Sequence, residues 1–335
     1  MKIIRIISIL MLFVLILLLG IFIAGAIAKS NLAKQYPAPG QLVDMGGYKM
    51  HIYCTGQGSP TVILAAGLGD FSAIWGLVQP EVAKTTRVCS YDRTGYGWSD
   101  PSPHPRTASG MAEELHTLLV NADIQGPYVL VGHSLGGLIV RIYTHSYPDE
   151  VVGMVLVDST HEEQYIRQSA SVPKYLEVMK RGNQQVTRQY HLFGFLSSTG
   201  IMALVPQSIP NPGFSDAAFA QYKVIWATTD FFETILAESQ ALEEILAEAR
   251  TLHITSFGNL PLIVLTAGPS GSDPNFSEAE NQQLSEVRRI LQSELSELSS
   301  DSKQIIAEQS GHYIQSDQPD LVIKAIRDMV DALRE

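Results

Sequence analysis

The stretch Pro127-Tyr128-Val129-Leu130-Val131-Gly132-His133-Ser134-Leu135-Gly136-Gly137 constrains this chain more than any other. Tyr128 to Val131 is apolar and partly β-branched, as a buried strand requires, and Leu138-Ile139-Val140-Arg141-Ile142-Tyr143 continues as a buried helix. Ser134 therefore stands at the apex of a sharp strand-to-helix turn. Glycine is needed two positions before and after it, because a side chain at either place would collide with the adjoining strand or helix; Gly132 and Gly136 meet that need. Such a turn holds the serine in a strained backbone with its hydroxyl exposed. It also aims the first free N–H groups of the new helix at whatever the hydroxyl attacks.

Around this turn the chain alternates strand and helix. A hairpin is expected from Gln41–Met45 and Tyr48–Cys54 about Gly46-Gly47, then a short apolar strand Thr61–Leu64 running into Ala65-Ala66-Gly67-Leu68-Gly69-Asp70. A helix over Trp75–Lys84, kinked or restarted near Pro80, leads to the strand Arg87–Tyr91 and the glycine-rich loop Asp92–Asp100. An amphipathic helix over Ser109–Ala122 precedes the Ser134 strand, and Val151–Val157 follows its helix. This rhythm calls for a mostly parallel sheet covered on both faces. It breaks over 162–257, a helical and unusually aromatic stretch holding Tyr190, Phe193, Phe195, Phe214, Phe219, Tyr222, Trp226, Phe231 and Phe232, and reads as a cap inserted between two strands. Strands at Leu262–Thr266 and Lys303–Ala307, a Glu/Gln-rich helix between them and a closing helix Pro319–Leu333 complete the core. The organisation is thus a segment 1–28, a polar linker 29–40, a core in two parts, 41–161 and 258–335, and the inserted cap.

From Ile6 to Ala28 run 23 residues without a charge, preceded by Lys2 and Arg5, long enough to cross a bilayer as a helix. The length favours an uncleaved anchor over a secretory signal, although Ala26-Ile27-Ala28 has the small-x-small form of a cleavage site. Either way the rest of the chain is expected outside the cytoplasm, tethered to the membrane or secreted. The balance of 23 Lys+Arg against 34 Asp+Glu, a net charge of −11, argues against nucleic acid as a partner. The histidines are scattered without metal-ligand spacing, so no structural zinc is expected.

A serine hydroxyl is a poor nucleophile near neutral pH; a histidine must take its proton and a carboxylate must orient that histidine. His312, in Gly311-His312-Tyr313 after the final strand, is placed to reach Ser134, whereas His133 should turn away and pack beneath the turn. Asp92 and Arg93 read as structural.

Four motifs in order, Ala66-Gly67-Leu68-Gly69, Tyr91-Asp92-Arg93-Thr94-Gly95-Tyr96-Gly97-Trp98-Ser99-Asp100, Gly132-His133-Ser134-Leu135-Gly136 and Ser310-Gly311-His312-Tyr313, make residues 41–335 resemble an α/β-hydrolase-fold serine esterase. The resemblance implies an oxyanion hole from the backbone N–H groups of Leu68 and Leu135. Where the family often has His-Gly this chain has Ala66-Gly67, which leaves open how that loop is braced. In relatives the acid follows either of two strands: Asp158 closes one stiffly, and Asp273 hangs from the glycine-rich loop after the other, so Asp158 is favoured and Asp273 is the alternative. The usual strand order makes the second and fourth strands neighbours, so Cys54 and Cys89 are expected either to pair or to remain as buried thiols. The implied activity is hydrolysis of a small hydrophobic ester, without a cofactor. Amide, lactone or carbon–carbon bond hydrolysis, acyl transfer, and a non-catalytic membrane-tethered binding protein on the same fold are the competing readings. An aspartate nucleophile is disfavoured because position 134 is serine.

Overall fold

The computed structural model describes residues 2–211, 213–228, 231–268 and 273–335. In chain order the elements are α1 Lys2–Gln35, β1 Gln41–Asp44, β2 Lys49–Thr55, β3 Thr61–Ala65, α2 Gln79–Val82, β4 Val88–Tyr91, α3 Ala108–Asn121, β5 Tyr128–His133, α4 Leu135–Ser146 and β6 Val151–Val157. Then come α5 Gln164–Ser171, α6 Tyr175–Ser198, α7 Ile201–Leu204, α8 Asp216–Thr228, α9 Phe231–Thr251, β7 Leu262–Ala267, α10 Glu278–Ser296, β8 Ser302–Ala307, α11 Ile314–Asp317 and α12 Pro319–Ala332.

The strands form one eight-stranded sheet in the order β1-β2-β4-β3-β5-β6-β7-β8. Only the β1–β2 and β2–β4 pairs are antiparallel; the remainder is parallel, as expected of strands joined by helical crossovers. Both faces are buried, and the alternation of side chains divides them. Ile63 and Leu130 pack with α3 and α4 on one side, while Val62, Leu64, Val129 and Val131 pack with α12 and α2 on the other. At about 1.5–3 kcal/mol for each fully buried aliphatic side chain, this two-sided core dominates the stability of the domain. In β2–β4 Cys54 lies directly opposite Cys89, and the two form a disulfide with a Cα separation of 4.0 Å.

Two local expectations are corrected. The segment expected as a helix over Trp75–Lys84, kinked or restarted near Pro80, does restart there, but its extent is corrected: a 3₁₀ turn, Ser72–Trp75, is followed by the single turn of α2 with Pro80 in its first residues. A proline near a helix start is tolerated because its missing N–H is an orphan there, but it starts a new helix rather than continuing the old one. The polar linker is also shorter than expected, since α1 runs on to Gln35. Ala28 and Leu32 give the reason: they pack against Met202 and Ala203 of α7 and Ile209, so tertiary contact keeps the helix wound. Gly25 is buried in this contact, and a Cβ there would stand 2.7 Å from the Thr199 carbonyl oxygen, so the two backbones touch because the residue is glycine. Helices α5–α9, between β6 and β7, carry the aromatic insertion.

Candidate active site

Ser134 has φ 52° and ψ −121°, left-handed backbone for a residue with a Cβ. The packing forces it. A Cβ on Gly132 would lie 2.5 Å from the Gly136 carbonyl oxygen, and one on Gly136 would collide with the Ala65 carbonyl oxygen. The turn is clamped to the next strand: Ser134 N–H donates to Val157 O at 3.2 Å and Thr160 N–H to Ser134 O at 2.9 Å.

Three of the side chains singled out from the sequence meet at this point. Ser134 Oγ lies 3.0 Å from His312 Nε2, and His312 Nδ1 lies 2.5 Å from Asp158 Oδ2. Asp158 is buried at the C-terminal end of β6, also in left-handed backbone, φ 42°. Its Oδ1 accepts from Ala267 N–H at 3.1 Å. Asp273, the alternative acid, instead closes a local turn, where its Oδ1 accepts from the backbone and side-chain N–H groups of Asn275, both at 2.8 Å. The loop 269–272 leading to it lies outside the described residues. His133 packs beneath the turn, with Nε2–H donating to the His312 carbonyl at 3.0 Å; burial, then the charge of His312, holds its own imidazole well below the usual histidine range. It thus props up the backbone of the residue that faces Ser134.

The backbone N–H groups of Leu68 and Leu135 have no backbone acceptor among the described residues. Leu135 opens α4, where such N–H groups are free by construction. Gly67 brings the first loop against the serine, as a Cβ there would stand 3.0 Å from Ser134 Cβ. The brace that the sequence left open is Arg93. Its Nη1 donates to Ala66 O at 2.5 Å and its Nη2 to Gly67 O at 2.8 Å, while Nε and Nη2 hold Glu238 of α9 at 3.0 and 2.7 Å. Tyr96 OH adds 2.8 Å to the same carboxylate, and Gly69 N–H donates to Tyr96 OH at 3.3 Å. Arg93 and Glu238 are buried, so the pair survives only because every polar atom of the fork is used. Asp92 behaves as the local clamp expected of it, with Oδ1 accepting from Ser72 N–H at 2.7 Å and Oδ2 from Trp98 N–H at 3.1 Å.

One residue at the site was not singled out from the sequence. Arg288 of α10 contacts Asp158 Oδ2 through Nη2 and lies 3.3 Å from His312 Nδ1. Burial, and secondarily the charge of Arg288, holds the His312 imidazole down at about 4. The only sequence signal is a pair of arginines, Arg288 and Arg289, in a helix otherwise rich in Glu and Gln, which reads as a solvated face.

Two cavities adjoin these elements, and of the two only the first is lined by Ser134 itself. One, of about 230 Å³, is polar and includes Ser134, His312, Thr160, Gln164 and Arg288. The other, of about 250 Å³, lies between the Leu68–Asp70 loop and the cap and is walled by Tyr190, Tyr222, Trp226, Phe231 and Tyr313. Of the other aromatic residues of the insertion, Phe193 and Phe219 pack elsewhere in the cap, and Phe195 is exposed.

A family model described as the alpha/beta hydrolase fold matches residues 60–319. An AB hydrolase superfamily protein of Gibberella zeae is 26% identical over 284 residues, 82% of this chain and 87% of that one. The much longer efuK protein of Hormonema carpetanum is 32% identical over 162 residues, 46% of this chain but only 23% of its own length. Among solved structures, a thermophilic esterase from Thermogutta terrifontis superposes with a TM-score of 0.57 at 19% identity, covering 88% of this chain and 99% of that one.

Proposed function

The chain belongs to the alpha/beta hydrolase fold family, and from that premise we propose that it is a serine hydrolase cleaving carboxylic esters that carry a hydrophobic group. The observation that carries this reading is the relay itself: Ser134 Oγ, on strained backbone, 3.0 Å from His312 Nε2, whose Nδ1 is 2.5 Å from the buried Asp158. Ser134 Oγ attacks the ester carbonyl as His312 Nε2 takes its proton, and Asp158 holds Nδ1–H so that Nε2 presents its lone pair. The oxyanion forms against the N–H groups of Leu68 and Leu135, each such donor being worth roughly 2.7–4 kcal/mol in the transition state. The intermediate collapses, His312 returns the proton to the departing alcohol, and water repeats the sequence on the acyl-enzyme. The aromatic cavity beside Leu68 supports a hydrophobic acyl or alcohol group.

Helix α1 supports a membrane tether, since its apolar residues from Ile3 to Ile27 are largely exposed. The disulfide is consistent with a catalytic domain outside the cytoplasm, in an oxidising compartment. A fluorophosphonate probe tests the assignment. The intact protein is expected to be labelled on Ser134, and Ser134→Ala to lose both the label and hydrolysis of short p-nitrophenyl esters. Equal hydrolysis by the two proteins sinks the enzymatic reading and leaves a binding protein on the same scaffold.

A further inference from the structure

The aromatic cavity contains one carboxylate, which ester hydrolysis does not use. Asp70 stands two residues beyond Leu68 on the same loop, and its Oδ2 is buried with no hydrogen-bond partner among the described residues. The nearest cation-forming atom is His133 Nδ1, 3.9 Å away. That nitrogen cannot donate, because the bond to the His312 carbonyl assigns the ring proton to Nε2. Glu238, the other carboxylate near the loop, is committed to Arg93 and Tyr96. Burial raises the Asp70 carboxyl to about 7, with Arg93 opposing and Glu238 reinforcing the rise. The charge of Asp70 is in turn the first cause raising the Tyr313 phenol, and it adds to burial at Tyr190 and Tyr222, so three tyrosine rings of the wall share its field.

A buried acceptor left unpaired costs roughly 1–3 kcal/mol, so native interiors seldom keep one without a partner. A plain hydrocarbon filling this cavity would strip water from Asp70 and leave that cost standing. An anion would be repelled. A cationic head balances the charge of the carboxylate and also sits among the rings of Tyr190, Tyr222, Trp226, Phe231 and Tyr313, the pairing of carboxylate and rings by which alkylammonium groups are held. We propose that this cavity is a subsite for an alkylammonium group, and that the substrates are esters carrying a positively charged amine on the chain that enters beneath the cap. The proposal deepens the ester-hydrolase reading and rests on it for the chemistry, though not for the binding.

The test uses the full-length chain and two matched substrate pairs. One pair is p-nitrophenyl esters whose acyl chain ends in trimethylammonium or in its uncharged carbon isostere, tert-butyl; the other is a choline ester and the ester of the corresponding tert-butyl alcohol. At pH 8 the cationic member of at least one pair is expected to have a kcat/KM higher by about tenfold or more, and Asp70→Asn to bring that ratio towards one. Ratios near one for both pairs in the unsubstituted protein overturn the subsite, as does a preference that Asp70→Asn leaves intact. Binding separates this from failure of the hydrolase reading. Titration calorimetry of Ser134→Ala with tetraethylammonium chloride, against sodium chloride at equal ionic strength, should show saturable binding that Asp70→Asn weakens about tenfold. Saturable binding without turnover of any ester keeps the subsite and overturns the hydrolase. No binding overturns the subsite whatever the activity.

Discussion

Replacing Arg93 by lysine probes how the oxyanion loop is held. Lysine keeps a positive charge beside the buried Glu238, so it avoids stranding that carboxylate, an omission that would cost about 3–5 kcal/mol. It cannot reproduce the fork: four hydrogen bonds, to Ala66 O, Gly67 O and both oxygens of Glu238, give way to at most three from one rotating ammonium. The carbonyls of Ala66 and Gly67 precede Leu68, so losing them loosens the residue proposed to present its N–H to the oxyanion. Complete loss of one such donor is worth roughly 2.7–4 kcal/mol, or about 10²–10³ in kcat. Loosening without removal should fall short of that limit, between about tenfold and a hundredfold in kcat, with KM changed by less than about threefold because ground-state contacts are elsewhere. Steady-state hydrolysis of a p-nitrophenyl ester, with thermal unfolding to verify the fold, measures both quantities. A folded Arg93→Lys protein with the parent kcat refutes the brace, and so does a loss confined to KM.

Other expectations follow from the same geometry. Asp158→Asn should cut kcat by orders of magnitude, whereas Asp273→Asn, which touches only its own turn, should leave kcat within about twofold; the reverse ranking in initial-rate assays reverses the assignment of the acid. His312 must be neutral to act as a base, so a pKa held at about 4 carries activity to lower pH than an ordinary histidine allows, and the acid limb of kcat/KM should fall below pH 6.5. Arg288→Gln removes a nearby positive charge and should move that limb to higher pH; an unmoved profile would mean that Arg288 does not act on His312. Breaking the Cys54–Cys89 link releases a loop with a sequence separation of 35, so Cys89→Ser should cost about 3–4 kcal/mol in denaturant unfolding. A stability unchanged within error rules out that contribution.

How much of this was readable beforehand follows from the range of the interactions. The Ser134 turn depends on glycines two residues away, and the strands on the unbroken apolar runs of a sheet buried on both faces, so local sequence suffices for both. Ser134 and His312 could be paired from sequence because motif order stands in for geometry. The extension of α1 could not be read, since Lys29 to Gln35 is polar in part and its helix is kept by Met202 and Ala203, far along the chain. Arg93 reads as structural from sequence, but what it braces cannot be read there, because its partner Glu238 is 145 positions away. Arg288 was hidden for a similar reason: on a charged helix face nothing marks the one arginine that folds back towards Asp158.

The seating of Gly25 on the Thr199–Gly200 backbone makes the N-terminal helix a structural part of the insertion that roofs the aromatic cavity. A peptidase that cut after Ala28 would do more than remove a long apolar segment. It would also take away Gly25 and Ala28, uncovering part of the apolar floor formed by Met202, Ala203 and Ile209, so loss of the apolar segment and reshaping of the roof would be one event.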